Sequence, residues 1–340
     1  MKLRRIPAIA LAIVVLAAAL GLAACGEKSE DASTAAQPLS LTLDFYPNAD
    51  HAGIYMAQKL GYFEEAGLDL SIDAPSDPAA PLKLVAAGQS DLAISYEPEL
   101  ALAHEQGLEL LAIAALVNRP LTWLIWLKQS WIKGVADLKG KTVATAGIPY
   151  QQAFLKTILS RAHLSPAAVK EVNVGFGLLP ALLGGSAEAM LGGYSNVEGV
   201  DLRQRGKDPV ITPVDQLGVP TYDELVLVAN RRKLEEEPEK FRLFIAALER
   251  GTEAAAKNPK AATKAVLEAN HGLDPKLTEA EVKATLPLLS SRLETKPYGY
   301  MDPARWKTFI GWMRDNGLIA SLPDPSELLS NAYLSGEIPE

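Results

Sequence analysis

The sequence predicts an α/β fold of two βα lobes, joined by a hinge and separated by a cleft. Strand and helix patterns alternate at short spacing along two successive stretches of similar length. Two extended crossings connect the stretches, and a series of helices follows the second crossing. A chain of 340 residues is long enough for two compact units, each with its own core.

The N-terminus has the pattern of an export signal. Three basic residues precede an apolar run over residues 6–20, which is shorter than the ~20 residues of a membrane-spanning helix. Leu-Ala-Ala-Cys at residues 22–25 looks like a bacterial lipobox, in which the cysteine is diacylated and becomes the new N-terminus. We expect residues 1–24 to be removed and Cys25 to carry the lipid; the alternative is an ordinary signal peptide with a chance cysteine.

The charge balance excludes several classes of function. The formal charge is −8, and it becomes −11 without residues 1–24, which hold three basic and no acidic residues. Nucleic acid is therefore not an expected partner. A single cysteine and four scattered histidines, with no HExxH spacing, predict neither an intrachain disulfide nor a metal site, and we expect no cofactor.

The first lobe begins after a polar stretch that we expect, together with Cys25, to form a flexible tether over residues 25–38. Apolar alternation and glycine stops then predict a βα series. Its strands are predicted at 39–45, 68–74, 92–95 and 108–117, and its helices at 51–61, 79–87 and 98–105.

A second βα series follows the apolar run at 121–127. Its further strands are predicted at 142–146, 172–176 and 187–191, and its helices at 151–162 and 178–183. A strand over 222–230 is predicted to return the chain to the first lobe. The first lobe therefore combines residues 39–125 with 227–334, and residues 126–226 form the second lobe. Prolines at helix starts predict final helices at 238–257, 259–269, 279–289, 303–316 and 325–334, packed on the first lobe.

Polar and aromatic side chains are concentrated where two strands of the first lobe end. Asp44, Phe45, Asn48 and His51 follow the first strand, and Tyr96 and Glu97 follow the third. In open α/β sheets ligands bind at such strand ends, so these residues are candidate ligand contacts. The alternatives remain that Asn48 or Asp50 caps a turn and that Glu97 only interacts with a helix dipole.

The second lobe has a comparable segment after the strand at 187–191. Two glycines allow a ligand to approach the backbone, Tyr194 offers a stacking surface, and Asn196 and Glu198 offer polar contacts. A simple glycine turn is the alternative. The glycine pair does not form the GxGxxG pattern of dinucleotide-binding proteins.

These segments resemble the thiamine-pyrimidine-synthase-like group, and in particular the solute-binding proteins of ABC importers for thiamine pyrimidine precursors. The matching segments are residues 44–48, 51–55, 61–63, 88–96, 193–198 and 220–226. The resemblance implies a periplasmic-binding-protein fold of type II that closes on its ligand. It carries ligand-binding roles onto Asp44, Asn48, His51, Tyr96, Tyr194, Asn196 and Glu198. The candidate set also includes Phe45, where the group commonly has tryptophan, and Glu97 and Glu224.

The resemblance implies a receptor rather than an enzyme. The eukaryotic synthases of the group carry pyridoxal phosphate on a lysine, and Ser95 stands at the aligned position, where no amine is available for a Schiff base. We therefore expect a monomeric, lipid-anchored protein on the outer face of the cytoplasmic membrane, which passes a small heterocycle to ABC permease and ATPase subunits. Acidic cleft candidates favour a formylaminopyrimidine or hydroxymethylpyrimidine over nitrate or sulfonate; riboflavin is the alternative ligand, and a sensing role is a third possibility.

Overall fold

A computed structural model of the protein describes residues 36–289 and 296–336. Within these residues the strands are β1 (Gln37–Thr42), β2 (Leu68–Asp73), β3 (Leu92–Ser95), β4 (Leu110–Val117), β5 (Thr122–Leu127), β6 (Thr142–Thr145), β7 (Lys170–Asn173), β8 (Ala189–Tyr194), β9 (Pro209–Pro213) and β10 (Leu225–Asn230). The α-helices are α1 (Ala52–Lys59), α2 (Tyr62–Glu65), α3 (Pro81–Ala86), α4 (Glu97–Glu105), α5 (Pro149–Arg161), α6 (Leu178–Leu183), α7 (Glu198–Gln204), α8 (Arg231–Glu236), α9 (Pro238–Lys257), α10 (Pro259–Ala269), α11 (Pro275–Leu289) and α12 (Pro303–Asp315).

The strands form two five-stranded sheets with the same plan. The first sheet has the order β2-β1-β3-β10-β4, and the second has the order β7-β6-β8-β5-β9. In each sheet the first three strands in that order are parallel, and the fourth is antiparallel to both of its neighbours. Helices cover the sheets, so each lobe has the predicted α/β architecture.

The antiparallel strand of each sheet is the first strand after the chain crosses between lobes. The first crossing lies between β4 and β5, and the second between β9 and β10. The lobe boundaries predicted after residues 125 and 226 therefore each fall inside a strand, because β5 belongs as a whole to the second sheet and β10 to the first.

The helices after β10 pack mainly on the first lobe. The close approach of α9 to α1 depends on glycine, since a Cβ atom at Gly251 would lie 2.5 Å from the carbonyl oxygen of Gly53 and would also overlap Ala57. Helix α11 additionally contacts α7 of the second lobe, so this helix faces both lobes.

Three details of the sequence-based assignment are wrong. Residues 325–334 do not form an α-helix: the Ala112 N–H donates to the Leu328 carbonyl (2.8 Å), and the Ser330 N–H donates to the Ala112 carbonyl (2.9 Å). This pairing with β4 holds the segment extended between two short 3-10 helices, Pro325–Glu327 and Asn331–Tyr333. Strand β8 does not end at residue 191 but continues through the glycine pair to Tyr194. Strand β9, which has a proline at each end, was not predicted.

The described residues contain no helix that is both long enough and apolar enough to cross a membrane. The predicted signal segment and Cys25 lie outside the described residues. Strand β1 takes up the last two residues of the predicted tether, because Gln37 and Pro38 pair with Leu68 and Asp69.

Candidate functional site

A cavity lies between the two sheets, where β1 and β3 of the first lobe and β6 and β8 of the second end. It encloses about 450 Å³, part of which is open to solvent. The lining residues come from both lobes and combine carboxylates with aromatic rings: Asp44, Phe45, Asn48, Asp50, Tyr96, Ala146, Ile148, Tyr150, Gln151, Leu178, Gly192, Tyr194, Val197 and Glu198.

Asp44 organises the first-lobe wall of this cavity. Its Oδ2 accepts a hydrogen bond from the Tyr96 hydroxyl at 3.0 Å, and its Oδ1 lies 2.9 Å from His51 Nε2. The Asn48 N–H donates to His51 Nδ1 (3.2 Å), so the ring proton is on Nε2 and is donated to Asp44. His51 is fully buried and is not among the cavity-lining residues. It therefore positions Asp44.

Asn48 both caps the turn after β1 and lines the cavity. The capping role and the ligand-contact position, which the sequence left as alternatives, therefore occur together. Its side-chain oxygen accepts from the Asp50 N–H at 2.8 Å, and His51 completes a reciprocal capping box around the short helix Ala49–His51. This turn orients Asp50 into the cleft.

Asp50 connects the two lobes directly. Its Oδ1 accepts a hydrogen bond from Asn196 Nδ2 at 2.7 Å, and the same nitrogen donates to Thr285 Oγ1 on α11 at 2.8 Å. Burial raises the pKa of Asp50 well above its usual value, and the charge of Asp44 raises it further, while the bond from Asn196 lowers it. Asn196 therefore bridges the lobes instead of lining the cavity.

Glu198 and Tyr194 form the second-lobe wall. Glu198 begins α7, and its Oε2 accepts a hydrogen bond from the Tyr194 N–H at 2.7 Å. Burial raises the pKa of Glu198 to about 7, against the lowering effect of its backbone hydrogen bonds. The Tyr194 ring lines the cavity, and its hydroxyl lies 3.4 Å from Glu224 Oε1.

Aromatic rings from the two lobes meet across the cleft. The Phe45 and Phe176 ring centroids are 4.5 Å apart in an edge-to-face arrangement, and those of Tyr96 and Tyr150 are 5.7 Å apart. These contacts, with the Asp50–Asn196 bond, describe a closed arrangement of the lobes. Sequence reasoning missed Tyr150 and Phe176, although both follow strands of the second sheet and the strand-end rule applied to the first lobe also selects them.

Gln151 is a further cavity residue that sequence reasoning missed. Its Oε1 accepts a hydrogen bond from the Ala146 N–H at 2.8 Å. Its amide nitrogen occupies the space that a side chain at Gly192 would need, and Gly192 has φ of +110°. Gly192, within β8, thus allows the close approach that the sequence suggested, although a side chain fills the space.

Glu224 does not face the cavity. It is fully buried, and its Oε2 accepts hydrogen bonds from the backbone N–H groups of Leu121 and Thr122 and from the Tyr222 hydroxyl, each at 2.7 Å. Leu121 ends the first crossing, Thr122 begins β5, and Glu224 lies in the second crossing, so this carboxylate connects the two crossings. Burial raises its pKa, although these donors lower it.

Glu97 is also placed behind the cavity. Its Oε2 accepts a hydrogen bond from the Asp223 N–H at 2.7 Å, and burial, followed by the charge of Asp223, raises the pKa of Glu97. The Asp223 carboxylate pairs with Arg305 and accepts from Trp306 Nε1 at 2.7 Å. Glu97 therefore anchors the start of α4 to the second crossing.

The chemistry of the cavity wall is that of a binding site for a flat polar molecule. Tyr96, Tyr150 and Tyr194 provide flat surfaces, and Asp44, Asp50 and Glu198 provide hydrogen-bond acceptors. No cluster of His, Cys, Asp or Glu suited to a metal ion occurs in the part of the chain that the structure describes.

Two mixed α/β lobes with two crossings and a cavity between them that is lined by aromatic rings and carboxylates define the class: this is a periplasmic-binding-protein fold of type II. The alkanesulfonate-binding protein SsuA of Xanthomonas axonopodis pv. citri has the same fold, with a TM-score of 0.68 over 86% of this chain and 98% of that one, at 15% identity.

The particular family follows from sequence comparison. The NMT1/THI5 like family model matches residues 48–262. The formylaminopyrimidine-binding protein of Halalkalibacterium halodurans is 36% identical over 88% of this chain and 92% of its own length. A putative thiamine biosynthesis protein of Haemophilus influenzae is 36% identical over 84% and 90%, respectively. The chain belongs to the NMT1/THI5 like family.

The family also contains enzymes. A 4-amino-5-hydroxymethyl-2-methylpyrimidine phosphate synthase of Legionella pneumophila is 27% identical over 75% of this chain and 81% of its own length. Family membership alone therefore does not distinguish a binding protein from a synthase.

Proposed function

We propose that this protein is the extracytoplasmic solute-binding component of an ABC importer for a thiamine pyrimidine precursor of the formylaminopyrimidine or hydroxymethylpyrimidine type. The observation that carries this proposal is the interlobe cavity in which acidic side chains of both lobes are combined with aromatic rings. A relative that is 36% identical and named as a formylaminopyrimidine-binding protein supports the same ligand class.

The cavity suits an aminopyrimidine because its polar wall consists largely of acceptors. An exocyclic amine donates hydrogen bonds, and a carboxylate is a strong acceptor for it. Glu198 lines the cavity, and its Oε2 accepts from the Tyr194 N–H, which holds the carboxyl group at the wall where a ligand amine would lie. The rings of Tyr96, Tyr150 and Tyr194 provide apolar surface for the heterocycle.

Closure is the functional step in this proposal. A ligand held between the lobes stabilises the closed arrangement by as much as it prefers that arrangement to the open one. The contacts of Phe45 with Phe176 and of Asp50 with Asn196 then exclude water from the ligand. The permease and ATPase subunits recognise the closed, loaded protein.

A binding role is favoured over synthesis by the residues of the cavity wall. None of the described residues that line it is a lysine or a cysteine, and a Schiff base with a cofactor aldehyde requires an amine. Ser95, which stands at the position of the synthase lysine, is buried in β3.

The N-terminal sequence supports export and anchoring. The apolar run and the Leu-Ala-Ala-Cys segment fit a lipoprotein whose Cys25 is lipidated, with the folded part as a monomer on the outer face of the cytoplasmic membrane.

Calorimetric titration of residues 26–340 with formylaminopyrimidine, hydroxymethylpyrimidine and riboflavin tests the proposal. We expect micromolar or tighter binding of at least one pyrimidine and none of riboflavin, because a flavin ring system is wider than a pyrimidine and side chains of the two lobes already touch across the cleft. Riboflavin as the only ligand would establish the alternative, and binding of none of the three would refute the pyrimidine role.

The Glu198→Gln variant tests whether Glu198 accepts a hydrogen bond from the exocyclic amine of the ligand. We expect its affinity for the aminopyrimidine to fall by about tenfold, because a charge-assisted hydrogen bond becomes a neutral one. A pyrimidine without the exocyclic amine should be affected less. Glu109→Gln, which changes an exposed glutamate of the first lobe, is the matched control and should leave both affinities unchanged. Equal losses for the two ligands would contradict the role of Glu198.

A further inference from the structure

Gln151 reaches across the ends of two neighbouring strands of the second lobe. It belongs to the first turn of α5, and its Oε1 accepts a hydrogen bond from the N–H of Ala146, the residue after β6. Strand β6 pairs with β8, with Thr145 opposite Leu191. The next residues along these strands, Ala146 and Gly192, both line the cavity. The Gln151 side chain contacts both of them, at the strand ends where ligands of open α/β sheets bind.

The orientation of the Gln151 amide is fixed by the backbone. An N–H group can only donate, so the atom that faces the Ala146 N–H is the oxygen, and the NH2 group lies on the other side of the amide. A half-turn of the amide would bring two donors together. The nitrogen lies over Gly192, in the space that a side chain at this position would fill.

The NH2 group of Gln151 is a donor without a protein acceptor. Gln151 lines the cavity and is only 2% exposed, and Nε2 makes no hydrogen bond with any of the described residues. The other described lining residue with nitrogen in its side chain is Asn48, whose Nδ2 donates to the Tyr46 carbonyl at 3.1 Å. The hydroxyls of Tyr96 and Tyr194 are directed at carboxylates. The Gln151 amide is therefore the nitrogen donor that this wall offers to a ligand.

We propose that Gln151 determines ligand specificity by donating a hydrogen bond from Nε2 to a ring nitrogen of the bound pyrimidine. This inference rests on the proposed function. The formylamino and hydroxymethyl compounds differ in their arms but share the ring, so one contact to the ring serves both. A neutral donor also matches an uncharged ring. An anion would meet carboxylates instead, and none of the described lining residues is Lys, Arg or His.

Two ligands that differ only in the ring nitrogens test this contact. They are hydroxymethylpyrimidine and its benzene counterpart, which keeps the amine, methyl and hydroxymethyl groups and has CH in place of both ring nitrogens. Titrations at mildly alkaline pH keep both compounds uncharged. We expect the wild-type protein to bind the pyrimidine about tenfold more tightly, because the benzene ring leaves the NH2 group of Gln151 without an acceptor. In Gln151→Met, which has a similar length but no donor, this preference should disappear.

Gln152→Met is the matched control, because Gln152 is the next residue of the same helix, is exposed and does not line the cavity. It should retain the tenfold preference. Gln151→Met also removes the acceptor of the Ala146 N–H, so we expect a lower melting temperature for this variant. Because the test compares two ligands in one variant, a general loss of affinity cancels, and binding of the benzene counterpart shows that the cleft is intact.

A crystal structure of the wild-type protein with hydroxymethylpyrimidine provides a second measurement that needs no variant. We expect Gln151 Nε2 to lie about 2.7 to 3.2 Å from a ring nitrogen. A complex in which both ring nitrogens face other groups would overturn the assignment.

The outcomes separate this role from the proposed function. If Gln151→Met weakens both compounds by the same factor, Gln151 has only a structural role. If the variant keeps the preference, another donor, such as the Tyr150 hydroxyl, contacts the ring nitrogens. If the wild-type protein binds both compounds equally well, it does not recognise the ring nitrogens. Each of these results refutes the inference and leaves the pyrimidine role standing. If neither compound binds, the proposed function is refuted and the role of Gln151 with it.

Discussion

Glu224 shows how much one buried carboxylate can connect. Its two oxygens accept from the N–H groups of Leu121 and Thr122, from the Thr122 and Tyr222 hydroxyls, and, at 3.4 Å, from the Tyr194 hydroxyl. These donors belong to both crossings and to the last residue of β8. The carboxylate therefore satisfies buried polar groups that would otherwise lack partners at the hinge.

The variant Glu224→Gln replaces one acceptor oxygen by an NH2 group that faces donors. We expect the free energy of unfolding to fall by about 2 to 4 kcal/mol, because hydrogen bonds are lost and buried donors are left unpaired. Denaturant unfolding measures this loss. Glu109→Gln at an exposed site should stay within about 0.5 kcal/mol of the wild-type protein, and an equally small effect for Glu224→Gln would contradict the structural role.

At the scale of residues, the sequence predicted the cavity wall in part. Asp44, Phe45, Asn48, Tyr96, Tyr194 and Glu198 line the cavity, because each follows a strand end, which is a local signal. His51, Glu97, Asn196 and Glu224 contact protein groups instead. Glu97, Asn196 and Glu224 have partners 103 to 146 positions away in the chain, so no local pattern shows that their polar atoms are already used. His51 instead bonds the nearby Asp44 and Asn48.

At the scale of elements, the contact between α1 and α9 depends on small residues. Gly53 and Gly251 face each other there, and a Cβ atom at Gly53 would lie 3.2 Å from Thr252 Cβ and overlap its hydroxyl. Small residues therefore determine the distance between these helices.

Substitution of Gly251 by alanine tests this packing. We expect Gly251→Ala to lower the free energy of unfolding by about 1 to 3 kcal/mol, because the added methyl group would lie 2.5 Å from the Gly53 carbonyl oxygen and the helices must separate. Gly311→Ala in α12 is the control: its Cβ meets nothing within 4 Å, so it should be neutral or stabilise by up to about 1 kcal/mol. Thermal or denaturant unfolding compares the two, and equal effects would contradict the packing argument.

Elements with local start and stop signals were predictable. Proline at the first position and a strong apolar stripe identified α9 and α10 to the residue. Where tertiary pairing determines the conformation, the sequence was not enough: residues 328–330 carry a helical pattern, but their backbone hydrogen bonds are made with β4. Edge strand β9 was missed because its terminal prolines indicate a turn.

At the scale of the whole molecule, the Asn196 amide connects the lobes across the cleft, through Asp50 of the first lobe and Thr285 of α11. These two hydrogen bonds exist only when the lobes are together. They therefore shift the equilibrium between open and closed arrangements without touching the ligand.

Asn196→Ala should open the unliganded protein. We expect small-angle X-ray scattering to show a larger radius of gyration, and ligand affinity to fall by up to roughly thirtyfold, because two bonds worth about 1 kcal/mol each are lost from the closed state only. Gln216→Ala, at an exposed amide of the second lobe, is the control and should change neither quantity. Lower affinity with unchanged scattering would instead indicate that Asn196 contacts the ligand.

The sheet order also determines when each lobe can be completed during synthesis. Strand β10 lies between β3 and β4, so the first sheet cannot form as described until Leu225–Asn230 has emerged, long after its other four strands. The second sheet, in contrast, uses one uninterrupted stretch from Thr122 to Pro213. The lobe that begins the chain is therefore the later of the two to mature, and its strands β3 and β4 wait for a partner that is more than a hundred residues away.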